Sequence, residues 1–413
     1  MLSKSKITNK LIAFTVVALL VMTACDNPTN NQKEELTKKE EIQKIMDKQG
    51  QPIDGQYIVV FDKDSDKSKS KAKLRSQKIS SMVSKYKIGS DALKHRFTNA
   101  IGGFAAELSD NQLAKLRNDK DVDYVEQDRI VILSPPKIND HYPWWYCYYY
   151  GIGCHDDDGG SQETPWGIDR VGGATASSGT AWVIDTGVDL DHDDLNVNTN
   201  LSTSFVSGEP SADDGNGHGT HVAGTIAAKD NNIDVVGVAA GATIVGVKVL
   251  GSNGSGTYSG IIDGIDYVAA NASPGDVANM SLGGGTSQSV DNAVQNAADQ
   301  GIYFAIAAGN DSDDANNYSP ARVEYNNVWT ISAIDSNDNF ASFSNYGNPP
   351  IEYAAPGVSV KSLWKNNGTN TIDGTSMASP HAAGVLLVTG GNPSSNGTAN
   401  GDPDGNPDPI IHQ

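Results

Sequence analysis

Three short segments carry residue types that could together perform nucleophilic catalysis. Asp185 directly follows the apolar run 181–184, at the strand end where open α/β sheets place functional groups. His218 lies in a glycine-rich stretch, and Ser376 lies between a turn containing Gly374 and a run typical of a helix start. A serine hydroxyl is a weak nucleophile until a base takes its proton, and a helix N-terminus can stabilise the resulting oxyanion. These residue types indicate acyl-transfer chemistry.

Each segment also has another interpretation. Asp-x-Gly is common in turns, so Asp185 alone is weak evidence. His218 and His221 could bind a metal, but no glutamate stands in the His-Glu-x-x-His order of zinc proteases. Ser376 does not stand in a Gly-x-Ser-x-Gly motif, which argues against a lipase or esterase of the α/β-hydrolase fold.

The chain order Asp185, His218, Ser376 is the order of subtilisin and differs from the orders on two other folds with the same triad. From about Gln162 to Gly384 the sequence resembles the subtilisin family of serine proteases, specifically its proteinase K-like branch. The branch resemblance rests on Met280–Gly285, Ala307–Asn310, Asn317–Pro320 and Phe343–Gly347. It implies an α/β fold of three layers with a mostly parallel central sheet.

By this resemblance Ser376 is the nucleophile, His218 its base and later acid, and Asp185 the residue that orients His218. Asn310 matches the side-chain donor to the oxyanion, although an Asn after Gly309 could also be a simple turn residue. The resemblance further implies a substrate-binding edge and an uncharged pocket that takes aromatic or large apolar residues before the scissile bond. The residues assigned to this surface are Ser281, Leu282, Gly283, Gly284, Ala307, Ala308 and Gly309.

Two acidic stretches match segments that bind a structural Ca²⁺ in subtilisins. The implied ligands are side-chain oxygens of Gln162, Asp194 and Asn231 and the carbonyls of Lys229, Ile233 and Val235, six oxygens that suit Ca²⁺. A plain surface loop is the alternative. A second, weaker candidate joins Glu352, where the family uses Asp, to carbonyls near residues 324–326. The run 402–408 lacks the terminal Glu of a calcium loop and contains prolines, so we expect a disordered acidic tail.

The segment before these motifs is predicted to form a small separate unit. Its pattern indicates the order β-α-β-β-α-β, an α+β, ferredoxin-like sheet with two helices on one face. It resembles the inhibitory propeptide of subtilisin-like proteases in Tyr57–Phe61, Gly103–Ala106 and Tyr124–Glu126. That resemblance implies a folding template whose C-terminal tail lies in the active-site cleft. An independent ferredoxin-like domain is the alternative.

The N-terminus carries an export signature. Three lysines precede an apolar run from Leu11 to Ala24, which is too short for a membrane span. The run ends at Cys25 in a pattern that resembles a bacterial lipoprotein signal, with an ordinary cleaved signal peptide as the alternative. Cys147 and Cys154 could pair in an exported protein, and the sequence around them holds too few ligands for zinc.

The formal net charge of −20 is unevenly distributed. Residues 1–134 contain 23 Lys or Arg and 18 Asp or Glu, a net charge of +5, whereas residues 135–413 contain 7 and 32, a net charge of −25. The acidic balance argues against nucleic acid as a partner, and a single apolar run argues against a polytopic membrane protein. Oppositely charged parts of one chain can steer toward each other.

These observations predict an exported, calcium-stabilised serine endopeptidase, made as a self-inhibited zymogen and either secreted or anchored to a bacterial envelope by lipid. We expect a monomer whose partners are protein and peptide substrates and its own propeptide. A narrow-specificity processing protease and a catalytically silent peptide-binding homologue are the alternatives. The predicted segments are an export signal (1–25), a polar tether (26–54), the propeptide (55–134), an aromatic linker (135–160), the peptidase domain (161–390) and an acidic tail (391–413).

Overall fold

The computed structural model describes Lys44 and residues 46–61, 71–133 and 161–413, which apart from Lys44 belong to one compact unit, Ile45–Gln413. The helices in these ranges are α1 (Lys71–Lys85), α2 (Asp110–Arg117), α3 (Trp166–Arg170), α4 (His218–Ala227), α5 (Tyr258–Asn271), α6 (Gln288–Ala298) and α7 (Thr375–Thr389). The strands are β1 (Pro52–Phe61), β2 (Leu93–Phe97), β3 (Gly103–Glu107), β4 (Val122–Ile132), β5 (Thr180–Asp185), β6 (Asn196–Val197), β7 (Thr203–Ser204), β8 (Thr243–Lys248), β9 (Ser255–Thr257), β10 (Val277–Met280), β11 (Gly284–Gly285), β12 (Tyr303–Ala307), β13 (Tyr318–Ser319), β14 (Val328–Ile334), β15 (Ile351–Pro356), β16 (Val360–Trp364), β17 (Gly368–Ile372), β18 (Ser394–Thr398) and β19 (Pro409–His412). The predicted export signal, Cys25 and the linker with Cys147 and Cys154 lie outside the described residues.

The N-terminal domain (residues 46–133) has the predicted order β1-α1-β2-β3-α2-β4. Its strands form an antiparallel sheet in the spatial order β2-β3-β1-β4. Helix α2 begins after Ser109, whose side chain accepts from the backbone N–H of Gln112 while the Gln112 side chain accepts from the N–H of Ser109. This reciprocal capping satisfies two donors at the helix start. The predicted α+β unit is confirmed.

Strand β1 buries both of its faces, which explains why its sequence is apolar without alternation. Val59 and Phe61 pack in the domain's own core, whereas Ile58 and Val60 join the core of the C-terminal domain (residues 161–413). Successive side chains of a strand point to opposite faces, so the sheet lies between its own helices and its neighbour. Helix α5 of the C-terminal domain packs against β2 and β4.

The C-terminal domain is built on a ten-stranded sheet in the order β18-β19-β15-β14-β12-β10-β5-β8-β6, with β7 also paired to β8. All pairs except β18–β19 are parallel, so the predicted mostly parallel sheet is confirmed. Helices α4 and α7 contact each other, as do α5 and α6, and both pairs pack on the sheet. Strand β5 is almost entirely buried and ends at Asp185, which places this carboxylate at the carboxyl edge of the sheet.

The C-terminal residues do not form the disordered tail that the sequence predicted, and the domain continues past residue 390. Strand β19 pairs with β15 and β18 and so extends the main sheet. Ile410 and Ile411 are fully buried, and the buried carboxylate of Asp408 accepts from Ser332 Oγ and Asn348 Nδ2. The prediction was based on the Asp, Gly and Pro content of residues 402–408. It missed the short apolar strand β19 that follows them.

The predicted polar tether also ends earlier than residue 54. Strand β1 begins at Pro52, and the residues before it already pair with β4. The N–H of Gly50 donates to Ile130 O at 2.9 Å, and the N–H of Ile130 donates to Gln51 O at 3.0 Å. Backbone pairing of this kind does not require apolar side chains, so the polar sequence did not indicate it.

Within the described ranges, no helix has the length and apolar character to cross a membrane.

Candidate active site

Asp185 and His218 form a buried hydrogen-bonded pair at the carboxyl edge of the main sheet. Asp185 ends β5 and His218 begins α4, and their Oδ1 and Nδ1 atoms are 2.7 Å apart. The two side chains are 0% and 2% exposed. The N–H of Thr186 donates to the same Oδ1 at 2.7 Å, which fixes the carboxylate. A carboxylate placed this way holds the imidazole proton on Nδ1 and leaves Nε2 to act as a base.

The turn before His218 is held by Asp214, a residue for which no role was predicted. Its buried carboxylate accepts hydrogen bonds from the N–H groups of Asn216, Gly217 and Thr220 and from the hydroxyls of Thr186 and Thr220. An anion here satisfies the unpaired N–H groups at the start of α4. Because Thr186 follows Asp185, Asp214 ties the Asp185 turn to the helix that carries His218.

Two glycines allow the close approach of the chain around His218. Gly217 has a φ of 117°, and a Cβ there would stand 2.3 Å from the ring of Trp364. A Cβ on Gly219 would stand 2.0 Å from the carbonyl oxygen of Gly187. Any other residue at either position would push the helix start away from Asp185.

Ser376, the second residue of α7, is bound to the segment that follows β10. Its hydroxyl donates to Ser281 O at 3.2 Å. Pro380 has no N–H, so the Ser376 carbonyl four residues earlier lacks its usual helical donor. Ser281 Oγ supplies the missing hydrogen bond, donating to Ser376 O at 2.7 Å. Two reciprocal contacts therefore fix the start of α7.

A buried polar chain supports this arrangement from behind. Ser379 Oγ donates to Asn279 Oδ1 at 2.7 Å, and Asn279 Nδ2 donates to Ser281 Oγ at 2.9 Å. Loss of a partner for such a buried group costs about 1–3 kcal/mol, so the network specifies one geometry. Asn279 was missed because a single Asn in an apolar strand has no distinctive sequence pattern.

Asn310 follows β12 and faces the turn that carries Ser376. Its Oδ1 accepts from both the N–H and the hydroxyl of Thr375, each at 2.9 Å. With the oxygen so engaged, Nδ2 is turned toward Gly374, 3.6 Å from the position that a Cβ would take there. The amide donor therefore lies beside the Gly374–Ser376 turn, where a donor to an oxyanion is needed.

A cavity of about 290 Å³ lies beside Ser376, and all seven residues predicted to bind substrate line it. They are Ser281, Leu282, Gly283, Gly284, Ala307, Ala308 and Gly309, and Asn310 shares the same wall. The exposed Asp311 also lines the cavity, next to the residues predicted to form an uncharged pocket. That prediction considered the chain up to Gly309 and not the turn after Asn310.

The end of the N-terminal domain runs along this cavity. Ile130, Val131 and Ile132 of β4 pair antiparallel with Thr257, Gly256 and Ser255 of β9. The N–H of Leu133 then donates to Gly254 O at 3.0 Å, and Ile132 and Leu133 form part of the cavity wall. This is strand addition, in which backbone bonds supply the affinity. The sequence prediction placed pairing on residues 281–284 and missed β9, where the small residues 254–256 were the available signal.

Comparison with known proteins identifies the family. The Subtilase family model matches residues 182–398, more than half of the chain. The chain belongs to the subtilase family. The Peptidase inhibitor I9 model matches residues 56–134 of this subtilase, which confirms the resemblance of its N-terminal domain to an inhibitory propeptide.

Individual relatives agree with this assignment. The subtilase is 40% identical over 351 residues to "Alkaline serine exoprotease A" of Vibrio alginolyticus, covering 81% of this chain and 60% of that protein. It is 41% identical over 306 residues to "Subtilisin-like serine protease AsES" of Sarocladium strictum, covering 72% and 73%. A cold adapted subtilisin-like serine proteinase of known crystal structure matches with a TM-score of 0.52 at 40% identity, covering 60% of this chain and 97% of that one.

Two further histidines of the subtilase are buried and neutral. Burial lowers the pKa of His221 to about 3 and that of His381 to about 4. His221 Nε2 lies 3.0 Å from Val360 O, and His381 Nδ1 lies 2.8 Å from Met377 O. In the part of the chain that the structure describes, no three His, Cys, Asp or Glu side chains form a metal-binding group. The two histidines of the sequence motif are thus engaged by other groups, His218 Nδ1 by Asp185 and His221 Nε2 by a backbone carbonyl.

Lys248 brings a buried positive charge to the Asp185 turn. It ends β8, opposite Asp185 in the sheet register. Its Nζ donates to Thr186 O at 2.5 Å and lies 3.2 Å from Glu209 Oε2. Glu209 also accepts from the N–H and hydroxyl of Ser252, in the loop that leads to β9. The Lys248–Glu209 ion pair therefore connects the Asp185 turn with the loop that leads to β9. No local sequence pattern predicted this ion pair.

The three side chains predicted to bind calcium lie together. Asn231 Nδ2 donates to Asp194 Oδ1 at 2.5 Å, and Gln162 Oε1 accepts from the N–H of Asn231. Asp194 is fully buried, its Oδ2 has no hydrogen-bond partner among the described residues, and burial raises its pKa to about 7. The unpartnered Asp194 Oδ2 fits a Ca²⁺ ligand, whereas Asn231 presents its amide nitrogen to Asp194 and its Oδ1 accepts from the N–H of Ile233. Lys229, Ile233 and Val235, whose carbonyls complete the predicted set, belong to the same segment as Asn231.

The weaker calcium candidate, Glu352, is held mainly by one backbone contact. Its Oε2 accepts from the N–H of Thr330 at 2.7 Å. Burial, and to a smaller extent the neighbouring Glu324 and Asp408, raise the pKa of Glu352 to about 8. The carboxyl group is therefore largely protonated at neutral pH when no cation is bound.

Carboxylates from both domains hold the N-terminal domain in place. Glu126 and Asp128 of β4 accept from the N–H groups of Ser289 and Ser259, at the starts of α6 and α5. In the opposite direction, Asp266 of α5 accepts from the N–H groups of Thr98, Asn99 and Ala100. The main polar contacts therefore do not simply pair a basic N-terminal domain with an acidic C-terminal one.

Proposed function

We propose that this subtilase is a serine endopeptidase in which Ser376 is the nucleophile, His218 the general base and Asp185 the group that orients it. The observations that carry the proposal are the buried hydrogen bond of 2.7 Å between Asp185 Oδ1 and His218 Nδ1 and the cavity that Ser376 and Asn310 line. The printed names of the relatives, which are serine proteases, support the same chemistry.

In the proposed reaction the Ser376 hydroxyl leaves the Ser281 carbonyl and donates to His218 Nε2. His218 takes the proton as Oγ attacks the peptide carbonyl, and Asp185 stabilises the imidazolium. Asn310 Nδ2 and the N–H of Ser376 donate to the oxyanion of the tetrahedral intermediate. His218 then gives its proton to the leaving amine, and a water molecule repeats the sequence to release the acyl group.

The proposed substrate is an extended peptide that takes the place of β4 beside β9 and the residues 281–284. Backbone pairing tolerates many sequences, which favours broad specificity. The aliphatic and glycine walls of the cavity favour an aromatic or large apolar residue before the scissile bond. Cleavage of a peptide library measures this preference, and strict selection for Lys or Arg would contradict it.

Two further features belong to the proposal. The N-terminal domain inhibits the full chain as a zymogen, because β4 pairs with β9, the strand beside which a substrate peptide would bind. A structural Ca²⁺ binds Asp194, Asn231 and Gln162 with the carbonyls of Lys229, Ile233 and Val235, and its charge compensates the buried Asp194 carboxylate.

The protein is also proposed to be exported, with lipid on Cys25. Intact mass and N-terminal sequencing of protein recovered from a bacterial host test these features. The expected result is a form that starts at Cys25 with added diacylglycerol and still contains the N-terminal domain. A free N-terminus elsewhere without added mass would contradict lipidation.

Covalent labelling with a fluorophosphonate tests the enzyme itself. Wild-type protein that has lost its N-terminal domain is expected to carry the label on Ser376, and a Ser376→Ala chain is expected to carry none. Absence of label from processed wild-type protein would favour the catalytically silent homologue.

A further inference from the structure

The N-terminal domain reaches the cleft with more than strand β4. Residues 46–51 precede the region that the inhibitor family matches, which begins at residue 56. Gln49 and Gly50 nevertheless line the cavity that contains Ser376. This segment is therefore in contact with the surface that a substrate would use.

Strand β4 has two edges beside the cavity, because the N–H groups of successive residues in a strand point to opposite sides. The N–H of Leu133 points to β9 and donates to Gly254 O. On the other side, the N–H of Ile130 donates to Gln51 O, and the N–H of Ile132 donates to Gln49 Oε1 at 2.5 Å. Gln49 thus supplies the acceptor for the last donor on this edge of β4.

The same carboxamide also reaches the substrate-binding edge. Gln49 Nε2 lies 3.4 Å from Gly283 O, and 3.2 Å from the position that a Cβ on Gly284 would take. The side-chain amide therefore stands between β4 and residues 283–284, accepting from one and donating to the other as a backbone peptide group would.

We propose that the inhibitory surface of this chain has two parts, β4 and the segment 46–51, and that Gln49 is the residue through which the second part occupies Gly283. The backbone fixes its position, since Gly50 N–H donates to Ile130 O at 2.9 Å and Arg129 Nη1 donates to Gly50 O at 2.8 Å. A substrate has to displace Gln49 before its own N–H can pair with Gly283. The inference rests on the proposed function only for the role of Gly283 in substrate binding.

Hydrogen–deuterium exchange of the full chain carrying Ser376→Ala tests the contact, because that chain keeps its N-terminal domain. The matched control is Gln51→Ala, since the exposed Gln51 side chain donates to Asp47 O and faces away from the cavity wall. Gln49→Ala is expected to speed exchange in peptides covering residues 130–133 by about five- to tenfold, and Gln51→Ala to leave it unchanged. Equal exchange in the two variants would overturn the proposal.

Gln49→Glu separates the two hydrogen bonds. A carboxylate still accepts from the N–H of Ile132 but cannot donate to Gly283 O. Protection of residues 130–133 is therefore expected to persist in this variant, and its loss would count against the assigned geometry.

The contribution to inhibition is measured in chains that keep Ser376, as the lag before activity on casein appears in purified full-length protein. Gln49→Ala and Gln49→Glu are expected to shorten the lag about fivefold relative to Gln51→Ala. Equal lags would overturn the inhibitory role. If no chain becomes active, the proposed function fails, whereas the exchange measurement still decides the contact.

Discussion

At the residue scale, the Asn310 side chain is oriented by the hydrogen bonds of its oxygen. Asn310 gives its Oδ1 to the N–H and hydroxyl of Thr375, which turns Nδ2 toward the Gly374–Ser376 turn. A preorganised donor of this kind needs no rearrangement when negative charge develops on the substrate.

Asn310→Asp tests this donor, because aspartate retains an acceptor for Thr375 and loses the amide N–H groups. We expect kcat to fall roughly 10²–10³-fold with little change in KM, since the lost contact acts on the oxyanion. Steady-state kinetics on a chromogenic peptide measures the effect. A kcat within a factor of about two of the wild-type value would remove Asn310 from the proposed mechanism.

Asp311→Asn tests whether the acidic rim of the cavity influences specificity. Because Asp311 is exposed, its attraction for a basic side chain is worth at most about 1 kcal/mol. We expect kcat/KM to fall about two- to fivefold for peptides with Lys or Arg before the scissile bond and to stay constant for matched Phe peptides. An equal change for both peptide series would show that the substitution disturbs the cavity generally.

At the scale of elements, the site is assembled from the ends of helices and strands. Strand β5 ends at Asp185, α4 begins at His218, and α7 begins one residue before Ser376. Strand β5 places Asp185 at the carboxyl edge of the parallel sheet, where His218 forms a hydrogen bond with it. Strand β8 contributes Lys248 at the same edge, paired with Glu209.

Lys248→Met is expected to lower the free energy of unfolding by about 3 kcal/mol, because it leaves Thr186 O and the Glu209 carboxylate without their buried donor. Glu209→Gln is expected to have a smaller effect, since the Glu209 side chain is 35% exposed and remains partly hydrated. Urea unfolding of both single variants and the double variant measures the coupling. Effects that simply add would contradict a direct interaction between the two residues.

Asp408 is expected to make stability depend on pH. Burial raises its pKa from the ordinary value of 3.8 to about 6. The folded state therefore holds the proton more tightly than the unfolded state, and the associated stability is present below about pH 4 and lost as pH rises through about 6.

The Asp408→Asn variant has no carboxyl group to ionise at this position. The free energy of unfolding of the variant minus that of the wild type is therefore expected to increase by up to about 3 kcal/mol between pH 4 and pH 8. Urea unfolding at a series of pH values checks this difference. A difference that stays constant with pH would show that Asp408 is not the group responsible.

At the scale of the whole molecule, the two domains differ strongly in charge, but specific carboxylates rather than net charge define how they meet. Glu126 and Asp128 of the N-terminal domain bind helix starts of the C-terminal domain, and Asp266 of the C-terminal domain binds a loop of the N-terminal one. The buried Asp194, whose carboxylate accepts from Asn231 Nδ2, takes part in neither set of contacts between the domains.

Calcium removal is expected to lower the melting temperature of the mature protein by about 5–10 °C, because bound Ca²⁺ stabilises only the folded state. Asp194→Asn is expected to abolish this response, whereas substitution of the exposed neighbour by Asp193→Asn leaves it intact. Thermal unfolding with EDTA and with added Ca²⁺ measures both. A full calcium response in Asp194→Asn would refute the assigned site.

The sequence by itself determined the residues of the candidate site and the class of fold. Asp185, His218 and Ser376 each stand in a short motif that contains a glycine with positive φ, namely Gly187, Gly217 and Gly374, so short segments carry the signal. The order of the N-terminal elements indicated an α+β domain, and the resemblance to the subtilisin family implied the mostly parallel sheet that follows it.

Only the tertiary structure decided which distant segments support and block that site. Asp214 beside Thr186, Asn279 beside Ser379, β9 as the partner of β4, and Gln49 beside Gly283 all join residues far apart in the chain. The acidic C-terminal stretch became part of the sheet for the same reason. Such partnerships depend on which strands and loops become neighbours after folding, and a lone polar residue or a short strand looks the same in sequence whether or not it finds a partner.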